Sequence, residues 1–227
     1  MKVIVLALAG RIGKHDVSDR KLAQEFREHP MPRRPADGYD PIAIVLHWLI
    51  ALLIVGLLAL GFVMALQSID PALQFSLFQW HKSFGMLALL LAAVRLVHSL
   101  TVVRVKPVKG LSALEYRSAD AMHYLLLTLA VAVPVAGWMI ASVSPLEIPT
   151  FAFNLVVIPH LPVPKSDAAE AWWTTVHAVL AYSMLALVLL HSGAALYHHY
   201  VRHDEVLTRM LGSRHRTAKT SIEEPGP

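Results

Sequence analysis

Not one of the 227 residues is cysteine. That excludes disulfide staples, thiolate zinc sites and cysteine-ligated iron–sulfur clusters. Charge is scarce as well: Asp, Glu, Lys and Arg make up only 16% of the chain, where a soluble domain carries about a quarter. Hydrophobic residues take 56% and the mean hydropathy is +0.52, the composition of an integral membrane protein with one domain. A formal charge of +4 and a pI near 9.4 would suit a nucleic-acid binder, but the basic residues sit beside apolar runs. They are better explained by membrane orientation, and nucleic acid is not expected as a partner. What the chain has in excess is histidine, thirteen in all.

Four of those histidines fall in the stretch that organises the rest, Trp172–Tyr200, which is apolar and long enough to cross a bilayer yet carries His177, His191, His198 and His199. His177 and His191 are fourteen residues apart. In a helix that separation nearly completes four turns, so both rings share one face, about 21 Å apart along the axis. That is about two-thirds of the hydrocarbon thickness. Ionisable groups inside a span are expensive and mark function.

Three further spans are expected upstream: Pro41 to Leu66, opened by an Asp40-Pro41 cap; Trp80 to Val103, with His81-Lys82 at its entry; and Ala119 to Ser142, kinked by Pro134 and Gly137. The fourth is expected to end around Arg202-His203. Residues 1–10 resemble a miniature signal peptide but are too short for one. Residues 1–38 read as a mobile cytoplasmic extension, 39–212 as the transmembrane domain, and 213–227 as a disordered cytoplasmic tail. Translation from Met31 would preserve every span. Lys and Arg number eight in the N-terminal segment, five in the second-to-third region and five at the C-terminus, against only Lys82 and Lys165 in the other two connections. The positive-inside rule then puts both termini in the cytoplasm, and Trp80, Trp138, Trp172 and Trp173 form an outer aromatic belt.

With orientation set, the histidines pair by depth: His47 with His191 near the inner surface, His81 with His177 near the outer. Two neutral imidazoles per site suit six-coordinate haem iron, whose macrocycle supplies four more nitrogens. Zinc would want further ligands, and no carboxylate or thiolate stands at these depths. Gly61, fourteen residues after His47, falls at the outer depth on the same face and leaves space for a flat ring; Gly85 and Gly193 are placed to help similarly. Arg95, fourteen residues after His81, falls at the inner depth and suits a haem propionate or a quinone carbonyl.

His47-Trp48, His81, His123 with Pro134-Val135-Ala136-Gly137, and the run His177…His191…His198-His199-Tyr200 together resemble the bacterial cytochrome b561 family over residues 39–212. The resemblance implies an all-α four-helix transmembrane bundle and two b-type haems. It further implies an inner-membrane location and ubiquinone as electron partner. At least one member is a superoxide oxidase, passing electrons from periplasmic superoxide to ubiquinone. The partners expected are therefore membrane lipid, ubiquinone, and superoxide or another periplasmic donor, with monomer and homo-oligomer both open.

Plainer readings stand beside these. Each proposed ligand has an alternative as an interhelical hydrogen-bonding histidine. His198 is a candidate for quinone binding or proton relay, or a helix-end residue meeting solvent. His123 is a candidate propionate or quinone contact, or a helix-start polar residue. His98, His160 and His203 are expected to be wet surface groups, His199 interfacial, and Met184 packing between the two sites. Lys82 would add a positive field near the start of its helix and collect an anionic donor, or would be an ordinary interfacial lysine. Two rival functions are a haem-b anchor subunit of a dehydrogenase or hydrogenase complex and a transition-metal transporter.

Overall fold

Helix starts in this chain are written in capping residues. The computed structural model describes residues 39–66, 69–102 and 112–212, all within one unit of the chain, 36–227. Helix α1, Pro41–Met64, opens with proline at its first turn, where a missing N–H costs nothing. Helix α2, Pro71–Thr101, does the same, and Asp70 accepts from the backbone N–H of Ala72 and Leu73 at 3.0 and 3.1 Å. Helix α3, Ala113–Val143, starts in a capping box between Ser112 and Glu115. Helix α4, Asp167–Tyr200, is capped by Ser166, and a short α5, Val206–Met210, follows.

All four long helices have the length and apolarity of a membrane span. At 31 residues each, α2 and α3 run about 46 Å, well past a hydrocarbon core of about 30 Å. This corrects the expected start of the second span. His81 and Lys82 lie some three turns inside α2 rather than at its entry, because the polar-sprinkled run Pro71–Gln79 continues the helix beyond the apolar segment. The terminal-dipole contribution expected of Lys82 goes with it, since that field fades within the first turn. The segments 1–38 and 213–227, expected to be mobile tails, lie outside the described residues.

Small side chains make up much of the interior, beside Leu46, Ile50, Val143 and Met184. Ala88, Ala92, Ala130, Ala136, Ala141, Ser83 and Ser142 are buried, while Leu52, Leu100, Leu189 and Trp172 point outward. That inversion suits a protein whose outside solvent is lipid, where close backbone approach replaces hydrophobic driving force. The close packings are α1–α2, α2–α3 and α3–α4. Midway along the bundle, Ala92, Ala130 and Met184 form the core cluster, with Ile54 against it; Met184 is packing, as expected.

One region lies outside the all-α plan. Between α3 and α4 the chain forms a two-stranded antiparallel hairpin, β1 Thr150–Ala152 and β2 Val156–Ile158, with Thr150 opposite Ile158. Phe153 and Asn154 close it with φ of 52° and 57°. A phenylalanine in the left-handed region is strained, and it is held there by α2: the Phe153 N–H donates to Ser83 Oγ at 3.1 Å, and its ring packs on Phe84 and Trp80 at centroid distances of 5.2 and 6.2 Å. Two further ties fix the loop: the Trp138 indole donates to the Pro159 carbonyl and the Leu161 N–H to Ser142 Oγ, both at 3.0 Å.

Candidate haem-binding sites

Helix α4 contributes one histidine to each of two ring pairs. His81 of α2 faces His177 with ring centroids 6.2 Å apart and planes at 78°. His47 of α1 faces His191 at the same 6.2 Å, with planes at 65°. Both pairs span helices outside the three closest packings, so each is made by side chains reaching between two separated backbones.

The spacing tests whether haem iron fits. An imidazole nitrogen lies about 2.0 Å from a metal it ligates, and the ring centre about 1.1 Å behind it, so two rings opposed across one ion have centres about 6.2 Å apart. Both pairs have that separation. His123 also approaches His191, but at 5.6 Å, too close to admit an ion in that arrangement. His47 is therefore the ring that fits opposite His191, and His123 stands beside the pair. Among the described residues no cluster of three or more His, Asp or Glu converges as a bare metal-ion site. Two ligands per site suit an ion already held by four ring nitrogens.

The His81/His177 pair, the one expected near the outer surface, is positioned tightly. His177 Nδ1 is 2.9 Å from the Val133 carbonyl, one residue before Pro134. Donation from Nδ1 leaves Nε2 bare, the tautomer a metal ligand needs. Gly137, one turn further along α3, passes so close that a Cβ there would lie 3.2 Å from His177 Cε1. Gly61 faces the other ring, its hypothetical Cβ 3.6 Å from His81 Cε1. Gly85 and Gly193 have no such neighbour within 4 Å. Gly137, read from the sequence as part of a kink and of the Pro134–Gly137 motif, thus lies against the His81/His177 pair. His81 Nδ1 is buried without a protein partner.

Polar groups gather around the His47/His191 pair, the one expected near the inner surface. Arg95 lies within electrostatic reach of His47, His123 and His191. Tyr39 sits near Arg95 and Arg209, and burial pushes its phenol above the usual range despite those cations. His98 is not the wet surface group expected: its Nε2 is 2.9 Å from Asp40 Oδ2. Asp40 makes no side-chain cap to α1, which leaves its carboxylate for the end of α2. His160 is corrected too, because the folded-back loop buries its Nε2. His203 is exposed, as expected, and His199 meets Tyr200 edge-on with ring centroids 4.8 Å apart. His198 meets Asp204 across the turn after α4. The Trp48 indole donates to the Met210 carbonyl at 2.9 Å, drawing α5 toward the inner end of α1.

The family model for prokaryotic cytochrome b561 matches residues 38–213. The chain belongs to the prokaryotic cytochrome b561 family. Among its relatives, cytochrome b561 homolog 2 of Escherichia coli is 30% identical over 178 residues, covering 78% of this chain and 92% of that protein. The Yersinia pestis protein named probable superoxide oxidase CybB is 29% identical over 177 residues, 76% of this chain and 95% of its own. As a b561 the chain is a multi-pass membrane electron-transfer protein, and the family implies b-type haem. The two ring pairs fit that cofactor.

Proposed function

We propose that this b561 carries two haems, one held by His81 and His177 near the outer leaflet and one by His47 and His191 near the inner, and oxidises superoxide outside while reducing ubiquinone inside. The observation that carries this is the repeated 6.2 Å opposition of imidazoles at two levels of one bundle, fourteen residues apart on α4. The similarity to a protein named as a superoxide oxidase supports the donor. The lysine and arginine asymmetry supports an inner-membrane protein with both termini cytoplasmic.

His81 with His177 and His47 with His191 would hold the haems, which would supply one-electron transfer chemistry at each site. The chain does the rest. Val133 fixes the His177 tautomer, and the hairpin loop closes over the outer end. At the inner end Arg95 offers charge to a propionate or a quinone carbonyl, His123 stands beside the haem pair, and His198 offers a proton. The balance is two superoxide plus ubiquinone plus two protons giving two dioxygen and one ubiquinol. Each superoxide loses one electron; both protons enter from the cytoplasmic side.

The test is purification in detergent, a dithionite-minus-oxidised spectrum, and then an enzymatic superoxide source with and without ubiquinone. The expected result is low-spin b-type absorbance, its reduction by superoxide, and ubiquinol in the full mixture. Reduction only by a co-purifying dehydrogenase would instead assign the chain as an anchor subunit. A fully folded, colourless preparation after ample haem supply would overturn the proposal.

A further inference from the structure

The turn after α4 is built around one contact. Val201 and Arg202 N–H groups both donate to the Tyr197 carbonyl, at 2.9 and 3.2 Å, and the Asp204 N–H donates to the His198 carbonyl at 3.2 Å. His203 takes a left-handed conformation, φ 52°, to make the reversal, which strains a non-glycine residue. The result folds Asp204 back on His198: Oδ2 is 2.5 Å from Nδ1, with both side chains mostly enclosed at 16% and 18% exposure. Asp204 Oδ1 meanwhile accepts the Val206 N–H at 3.1 Å. One carboxylate oxygen starts α5 and the other holds an imidazole.

We propose that Asp204 is the positioning residue that lets His198 serve as proton donor to the quinone, an inference that rests on the quinone-reducing reading above. A carboxylate on Nδ1 holds the proton there, turns Nε2 the opposite way and supports the imidazolium form. Imidazolium gives up its Nε2 proton: that N–H bond breaks, an O–H bond forms on the quinone oxygen receiving electrons from the inner site, and a neutral ring remains with Nδ1–H still bonded to Asp204. Cytoplasmic water reloads Nε2, and a second cycle supplies the second proton. Other titratable or charged groups meeting this turn are Tyr197, whose ring centroid is 6.0 Å from His198, Arg202 with Glu115 of α3 at 2.8 Å, and Arg209 with Glu205 at 3.4 Å. The acid seen against the imidazole is Asp204.

Asp204→Asn separates this role from a purely structural one. Asparagine still accepts from Val206, but its amide NH2 opposite Nδ1 selects the other tautomer and gives no support to the imidazolium. With detergent-purified holoprotein, superoxide and ubiquinone, quinol formation should fall about 10²-fold. The falling limb of its pH profile should move to lower pH, with haem content, low-spin spectrum and haem reduction by superoxide unchanged. Asp204→Glu should restore part of the rate. An unshifted pH profile in Asp204→Asn, whether the rate is normal or reduced, would assign the residue to folding alone and overturn the proposal. Wild-type protein that is reduced by superoxide yet makes no quinol would remove the quinone reading itself, and this proposal with it.

Discussion

The two ends of the bundle hold the same pair of rings at the same separation and surround them differently. At the His81/His177 end His177 is held by a carbonyl and a glycine, and the α3–α4 loop is tied down by Ser83, Trp138 and Ser142. At the His47/His191 end the pair has a third histidine and an arginine near it, a half-buried tyrosine near that arginine, and the His198–Asp204 turn at the end of α4. A rigid end lined by few ionisable groups suits passage of electrons alone. An end rich in titratable groups suits electrons that arrive with protons.

The sharpest way to break that contrast is to remove one ring from each end. His191→Ala should cost one of the two haems and abolish quinol formation while superoxide still reduces the remaining haem; His177→Ala should cost the other and abolish reduction by superoxide. Haem-to-protein ratio and difference spectra check both, and two low-spin haems surviving in His191→Ala would contradict the pairing.

Next in size is Gly137→Ala, which puts a methyl group 3.2 Å from His177 Cε1. Since positioning around a ligand typically changes metal affinity about tenfold or more, outer-site haem should be lost on dilution or appear with a shifted spectrum. Gly61→Ala, at 3.6 Å from His81 Cε1, should be tolerated. Equal effects would mean that the outer site is looser than described.

Smaller again is the effect of outward cations. Lys165 is paired with Glu147, whose carboxyl that hydrogen bond and charge hold below the usual range; Lys82 makes no ion pair among the described residues. Lys82→Ala should therefore flatten the salt dependence of reduction by superoxide, and Lys165→Ala should leave it unchanged near neutral pH; identical slopes for wild type and Lys82→Ala would remove Lys82 as a collector. Any stabilisation from the Glu147 pair is present above the ordinary carboxylate range, near pH 4.3, and is lost as pH falls through the lowered folded value. The smallest effect is Trp48→Phe, which removes the bond to the Met210 carbonyl. It should lower stability by about 1 kcal/mol and loosen the inner end only, seen as faster proteolysis near α5 with outer-site spectra unchanged.

How much of this was legible in the sequence depended on range. Four spans, the fourteen-residue histidine spacing and the depth pairing all follow from helical periodicity, which is local. The start of α2 was legible too, in Asp70-Pro71, the same signature that marked α1 at Asp40-Pro41. The hydropathy of Pro71–Gln79 masked it. The hairpin was harder to see: Phe153 adopts its strained conformation only because Ser83 and two aromatic rings from α2, seventy residues away, hold it there. Gly137 against His177, His98 against Asp40 and Trp48 against Met210 are likewise contacts between distant segments, which no single stretch announces. The Asp204–His198 contact spans only six residues, but it needs a left-handed His203, and histidine marks such a turn far less plainly than glycine would.

The most direct measurement is the haem content and ferric electron paramagnetic resonance spectrum of purified wild-type protein beside His81→Ala and His47→Ala. Two haems per chain, giving two low-spin bis-imidazole signals of which each variant loses a different one, is the predicted result. A single haem per wild-type chain, or a signal that survives both substitutions, would contradict the account.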